Sequence, residues 1–182
     1  MELNSRLICI YGPAATGKTT FATIQAIKTA KLGRKTLYID TESGFSSVRA
    51  KQLGATDEEL EKIIIMKIQN FEEQNKIISQ FKEIKSKFSL IVLDTIGNHY
   101  RTNYQIQRQS LINQLKILNR ISKDIPVIIN NQVYCTDQQV AGDLISKIAT
   151  EMIELKTNRT AIFNKGKAIQ FKIEEKGIIW LV

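Results

Sequence analysis

Apolar positions along this chain fall into short blocks separated by polar stretches, and two spacings alternate between the blocks. "RLICIY" is a continuous apolar run of strand length. A helix follows it from about Lys18 to Lys31 and stops at Gly33. "KTLYID" predicts a second strand ending at Asp40, a short helix spans Ser46 to Leu53, and "KIIIMKI" predicts a third strand. The stretch from Glu72 to Lys85 has helix-forming composition, with Ile77, Ile78, Phe81 and Ile84 on one side. "FSLIVLD" is apolar throughout, as a strand covered on both faces must be. Leu111, Leu115, Leu118 and Ile121 recur at helical spacing in a long helix from Ile106 to Ser122. Pro126 then opens the strand "VIINN" at a position where its missing N–H removes no ladder bond. Strands alternating with helices predict an α/β fold with a mainly parallel sheet.

Beyond a polar loop from Tyr134 to Gly142 the pattern changes. "IATEMIEL", "RTAIF", "AIQFKIEE" and "IIWLV" are separated only by "TN", "NKGK" and "KG". Ile169, Phe171 and Ile173 alternate with Gln170, Lys172 and Glu174, so one face is expected to be buried and the other wet. Antiparallel strands should therefore finish the sheet. Residues 1–182 read as a single domain, without linker, repeat or low-complexity stretch.

Composition refines this picture modestly. Hydrophobic residues make up 43% and charged residues 24%, values of an ordinary globular chain. Neither a membrane-length apolar run nor a signal peptide is visible, and the expected compartment is the cytoplasm. Cys9 and Cys135 fit no zinc spacing and are expected to be reduced thiols. A formal charge of +8 suits a polyanionic partner, although the lysines are scattered rather than blocked.

The chemistry begins directly after the first strand. Gly12, Gly17, Lys18 and Thr19 satisfy G-x-x-x-x-G-K-[ST], with Pro13, Ala14, Ala15 and Thr16 forming the arch and Thr20 continuing into the helix. The glycines permit a backbone nest for phosphate oxygens, set on the positive end of a helix dipole. Lys18 would reach the β- and γ-phosphates of ATP, and the Thr19 hydroxyl would ligate Mg2+. Asp94 ends the buried strand "LIVLD" at the sheet edge where ligands collect, the place of a second Mg2+ contact. Glu42 follows another strand and should emerge at the same edge, where a carboxylate could polarise the attacking water. Gln132 closes "VIINNQ", from which an amide could sense the γ-phosphate.

Together "GPAATGKTT", "LYIDTESGF", "LIVLDTIGNHYR" and "VIINNQVY" resemble the RecA-type recombinase ATPases in order and spacing. "NQVY" followed by "AGDLISKIATEMIEL" and a basic hairpin is similar to a paralogue group that is essentially a bare ATPase core, as is "KIEEKGI". The resemblance covers nearly the whole chain from Arg6. It implies a RecA-like P-loop core in which Lys18 and Thr19 contact ATP and Mg2+, Glu42 is the catalytic carboxylate, Asp94 the Walker-B acid and Gln132 the γ-phosphate sensor. Tyr100 to Gln107 would correspond to a first DNA-binding loop and Tyr134 to Gly142 to a second. The second loop holds Asp137, with Asp143 beside it, and no Lys or Arg, so it can neutralise little phosphate charge. Arg101 and Arg108 beside Tyr100 and Tyr104 combine cations with stacking surfaces suited to single strands. The hairpin bearing Arg159, Lys165, Lys167 and Lys172 is the other candidate for contact with DNA.

Full recombinases of this type carry an N-terminal domain and a polymerisation linker ahead of the core, and this sequence starts on the first core strand. The resemblance thus implies an ATP-binding paralogue that assists homologous recombination and DNA repair. Its expected properties are weak ATPase activity, modest affinity for single-stranded or branched DNA, and no strand exchange alone. It should be a monomer or small oligomer by itself and form a complex with the full-length recombinase. Two other readings stay open: a small P-loop kinase, and a regulator for which ATP is only a conformational ligand.

Overall fold

The computed structural model describes residues 7–102, 104–133, 141–164 and 166–181, with the side chains of 101–106 left aside. The chain runs through β1 (Leu7–Gly12), α1 (Lys18–Lys31), β2 (Thr36–Asp40), α2 (Ser47–Gln52), α3 (Asp57–Leu60) and β3 (Ile63–Lys67). It continues with α4 (Phe71–Ser79), α5 (Phe81–Ile84), β4 (Leu90–Asp94), α6 (Tyr104–Ile121), β5 (Val127–Gln132) and α7 (Gly142–Ile145). Four strands close it: β6 (Glu151–Leu155), β7 (Thr160–Phe163), β8 (Ala168–Glu174) and β9 (Gly177–Leu181). They form one sheet in the order β3-β2-β4-β5-β1-β6-β7-β8-β9. All pairs from β3 to β6 are parallel, and the three pairs from β6 to β9 are antiparallel.

Apolar side chains cover both faces of the central strands, as their continuous apolar runs require. Leu7, Cys9, Leu93 and Ile129 pack on the side of α4 and α6, while Ile8, Ile10, Val92 and Ile128 pack on the side of α1. Parallel order and right-handed helical crossovers bring the C-terminal ends of β1, β2, β4 and β5 to one edge. That edge carries the site.

Three local expectations need correction. The helix expected from Glu72 to Lys85 is broken at Gln80, whose N–H bonds to Ile77 O in a tightened turn; on either side of the break Ile78 and Phe81 are both fully buried. A short helix, α3, adds to the expected elements, started by a reciprocal capping box between Thr56 and Glu59 that the spacing T-x-x-E announces. β6 belongs to the parallel part of the sheet beside β1, so the antiparallel region starts one strand later than the turn spacing suggested.

Candidate nucleotide site

The loop between β1 and α1 takes the shape its glycines allow. Gly12 and Gly17 have φ of 154° and 106°, and a Cβ on Gly12 would collide with the Leu155 carbonyl oxygen. A Cβ on Gly17 would lie 2.5 Å from Ile173 Cδ1, so the side chain of β8 closes directly on the loop. Lys18 is buried, and its ammonium donates to Gly12 O at 2.9 Å and Pro13 O at 2.7 Å. The Thr16 hydroxyl also donates to Pro13 O, at 2.9 Å. Gly17 offers no side chain to cap α1, which leaves the first-turn N–H groups of that helix to an anion.

Carboxylates from two other strands meet this loop. Asp94 is buried and its Oδ2 accepts the Tyr38 hydroxyl at 2.7 Å. Burial, and then the neighbouring Asp94 charge, push the Tyr38 pKa well above the usual phenol value, so this hydroxyl keeps its proton and orients the carboxylate. Glu42 sits in the loop after β2, and that loop is shaped by Asp40. The buried Asp40 carboxylate accepts from the N–H groups of Glu42 at 3.3 Å, Gly44 at 3.0 Å and Phe45 at 3.1 Å. Asp40 therefore builds the loop while Glu42 faces the cavity.

Gln132 lies at the C-terminal end of β5, and its amide donates to both Glu42 oxygens at 2.8 and 2.9 Å. Thr95 donates to Glu42 Oε1 at 3.0 Å, and its own N–H bonds to the Thr41 hydroxyl at 2.8 Å. The loops after β2, β4 and β5 are thus tied into one network. A cavity of about 400 Å³ opens above it, lined by the phosphate loop, Glu42, Asp94, Thr95 and Gln132. Its size falls within the roughly 300–1,000 Å³ range of ligand pockets. Thr19 and Asp94 present the hard oxygen donors that Mg2+ prefers, and the glycine nest and Lys18 supply the complement to phosphates. The residues present fit a magnesium–nucleotide complex.

Four lining residues, Thr95, Ile173 and the two arginines Arg159 and Arg49, have no place in this site on the sequence alone. Arg159, grouped above with the basic hairpin, comes from the β6–β7 turn and donates to Ala15 O at 3.2 Å and Thr16 O at 3.3 Å. Arg49 of α2 lines the same cavity and grips Glu174 O at 2.8 Å and Glu175 O at 2.9 Å. Neither has a local signal, because each is brought in by a separate element.

The expected DNA contacts fare differently. Tyr100 is not a stacking surface: it is 1% exposed and packs in the core beside Phe71, with ring centroids 6.2 Å apart. The short 3-10 turn His99–Thr102 folds this ring inward, whereas the sequence alone placed it in an open loop. Arg108 is exposed and pairs with Asp143 at 3.3 Å. Lys167 is exposed and lines a separate groove with Phe163 and Trp180. The side chains of Arg101 and Tyr104, with Lys165 and residues 134–140 including Cys135, lie outside the described residues.

The AAA domain family matches residues 4–126. The DNA repair and recombination protein RadB of Pyrococcus abyssi is 33% identical over 94% of this chain and 84% of its own length. RadB of Methanocaldococcus jannaschii is 35% identical over 93% of this chain and 90% of its own. The chain belongs to the RadB family. A crystal structure of the RadB recombinase superposes with a TM-score of 0.82 at 31% identity, covering 97% of this chain and 90% of that one. The RadB fold is RecA-like, and its P-loop core is of the ATPase type; both agree with the parallel sheet and antiparallel C-terminal strands seen here.

Proposed function

We propose that this RadB-family protein binds ATP with Mg2+, hydrolyses it slowly, and assists homologous recombination and DNA repair without exchanging strands alone. One observation carries the reading: four separate stretches of sequence, ending β1, β2, β4 and β5, supply Lys18, Glu42, Asp94 and Gln132 to a single cavity. In this scheme the phosphate loop holds the triphosphate, and Lys18 leaves its loop carbonyls for the phosphate oxygens. Thr19 and Asp94 would hold Mg2+, which when bound would supply positive charge to the phosphate oxygens.

The Glu42 contacts support slow turnover. A carboxylate whose two oxygens already accept bonds from Gln132 and Thr95 has to exchange a partner before it can receive a proton from water. Gln132 must turn from Glu42 toward the γ-phosphate before Glu42 can take a proton from water. The same exchange of partners makes Gln132 the element that reports the state of the nucleotide to the segment behind it. DNA contact and association with a full-length recombinase belong to the same proposal, supported by the family and the basic surface.

Lys18→Ala tests the holding step. Tight ATP binding should be lost, measured by calorimetry, while the thermal midpoint stays near that of the parent. Equal affinity in mutant and parent would remove the phosphate loop from the mechanism.

A further inference from the structure

A polar row crosses the sheet immediately behind the site. Asp40 pairs with Asp94 across β2 and β4, and Ile10 pairs with Asn130 across β1 and β5. Leu93 pairs with Ile129, so Asp94 and Asn130 are neighbours one step further along β4 and β5. Strand alternation puts both on the α1 side of the sheet, where Val92, Ile128 and Ile10 already pack. Asn130 is fully buried, and among the described residues neither Nδ2 nor Oδ1 of its amide has a hydrogen-bond partner.

A buried amide used only for folding is normally paired within the fold. The Gln74 amide is half paired: its nitrogen donates to Gln114 Oε1 at 2.8 Å and to Ile96 O at 3.2 Å, while its Oε1 has no partner among the described residues. Asn130 departs further, with both amide atoms unpartnered, beside the carboxylate expected to meet a cation. Asp94 Oδ2 is fixed by the Tyr38 hydroxyl, which leaves Oδ1 as the oxygen that an Asn130 donor can orient. An amide offers a donor to a carboxylate and an acceptor to a hydrated cation, whereas an apolar residue offers neither.

We propose that Asn130 is a positioning residue of the metal site, its amide set beside Asp94 to orient that carboxylate for a divalent cation. The inference rests on the ATP–Mg2+ reading above. It adds a partner of the first metal ligand, of the kind whose loss weakens metal affinity by roughly 10–100-fold.

The test compares Asn130→Val with Asn130→Thr, which have nearly the same shape and differ by one hydroxyl. ATP affinity is measured for each in Mg2+ and in EDTA, alongside the thermal midpoint without nucleotide. The parent should gain affinity from Mg2+. Asn130→Val should lose about tenfold or more of that gain, with unchanged affinity in EDTA and no lower midpoint. Asn130→Thr should recover part of the loss. A full Mg2+ gain in Asn130→Val, or an equal loss with and without the metal, overturns the proposal. A parent with no Mg2+ gain would instead overturn the site reading, and this inference with it. If neither variant folds, the Asn130 side-chain amide of the parent is followed by NMR in the nucleotide complex. Its resonances should shift when Mg2+ is added, and unmoved resonances overturn the proposal.

Discussion

Glu42 shows how little of a residue's role lies in its identity. As a loop acid it would be a solvated charge, but three hydrogen bonds from Gln132 and Thr95 aim it into the cavity. Glu42→Gln keeps the shape and removes the proton acceptor. Turnover should fall by about 10²-fold or more while ATP affinity holds, and an unchanged hydrolysis rate would show that another group is the base. Cys9 gives a second prediction at this scale. Burial pushes its thiol from 9.0 up to about 12. The folded state therefore retains a proton that the unfolded chain releases above pH 9, and stability declines as pH rises through that window, by up to about 1.4 kcal/mol per unit. Cys9→Ala should flatten the decline of the denaturation midpoint between pH 9 and pH 12, and an identical slope would locate the loss elsewhere.

At the scale of elements, the phosphate loop is held from outside as well as from within. Ile173 of β8 closes on Gly17, Arg159 of the β6–β7 turn holds two loop carbonyls, and Arg49 ties α2 to the β8–β9 turn. The antiparallel strands therefore help to line the candidate nucleotide site and are more than an appended edge. Arg159→Ala should raise the Kd for ATP several-fold and leave the fold intact, because half-exposed hydrogen bonds of this kind contribute about 0.5–1.5 kcal/mol each. An ATP affinity equal to that of the parent would reduce the contact to packing. The helical elements teach a related lesson. Periodicity located the buried face of the 72–85 stretch but not its break, because the turn at Gln80 depends on how Ile78 and Phe81 reach the core.

For the whole molecule, the two ends of the sheet differ in use. β9 curls beside α1, where Trp180 meets Phe21 with ring centroids 6.3 Å apart. β3 ends the sheet at the other side, with Ile64 and Ile65 exposed at 39% and 38%. An open apolar edge invites a strand from a partner. Under the proposed function it is the acceptor for the full-length recombinase, in a heterologous contact. Ile65→Lys should abolish that complex in a pull-down while nucleotide binding persists, and undiminished capture would place the contact elsewhere. DNA affinity, if it rests on scattered cations, should fall steeply between about 50 and 200 mM salt. Reversal of Arg101 with Arg108, or of Lys165 with Lys167, to Glu should weaken it further. Binding indifferent to salt and to all four changes would contradict an electrostatic contact.

The sequence by itself determined the features that neighbouring residues create together. The phosphate loop is eight consecutive positions, G-x-x-x-x-G-K-T, whose glycine torsions and helix dipole are local properties. The buried strands are legible for the same reason, since a continuous apolar run must be covered wherever it sits, and they carry Asp94 to the ligand edge. Tertiary structure alone decided which side chains meet there. It sent Tyr100 into the core, brought Arg159 to the phosphate loop and Arg49 to the same cavity, and set Asn130 beside Asp94 across a strand pair. An aromatic or cationic residue reads alike in sequence whether it faces water, core or ligand. Its neighbours come from strands and turns many residues away, and only the packing of the finished sheet selects among them.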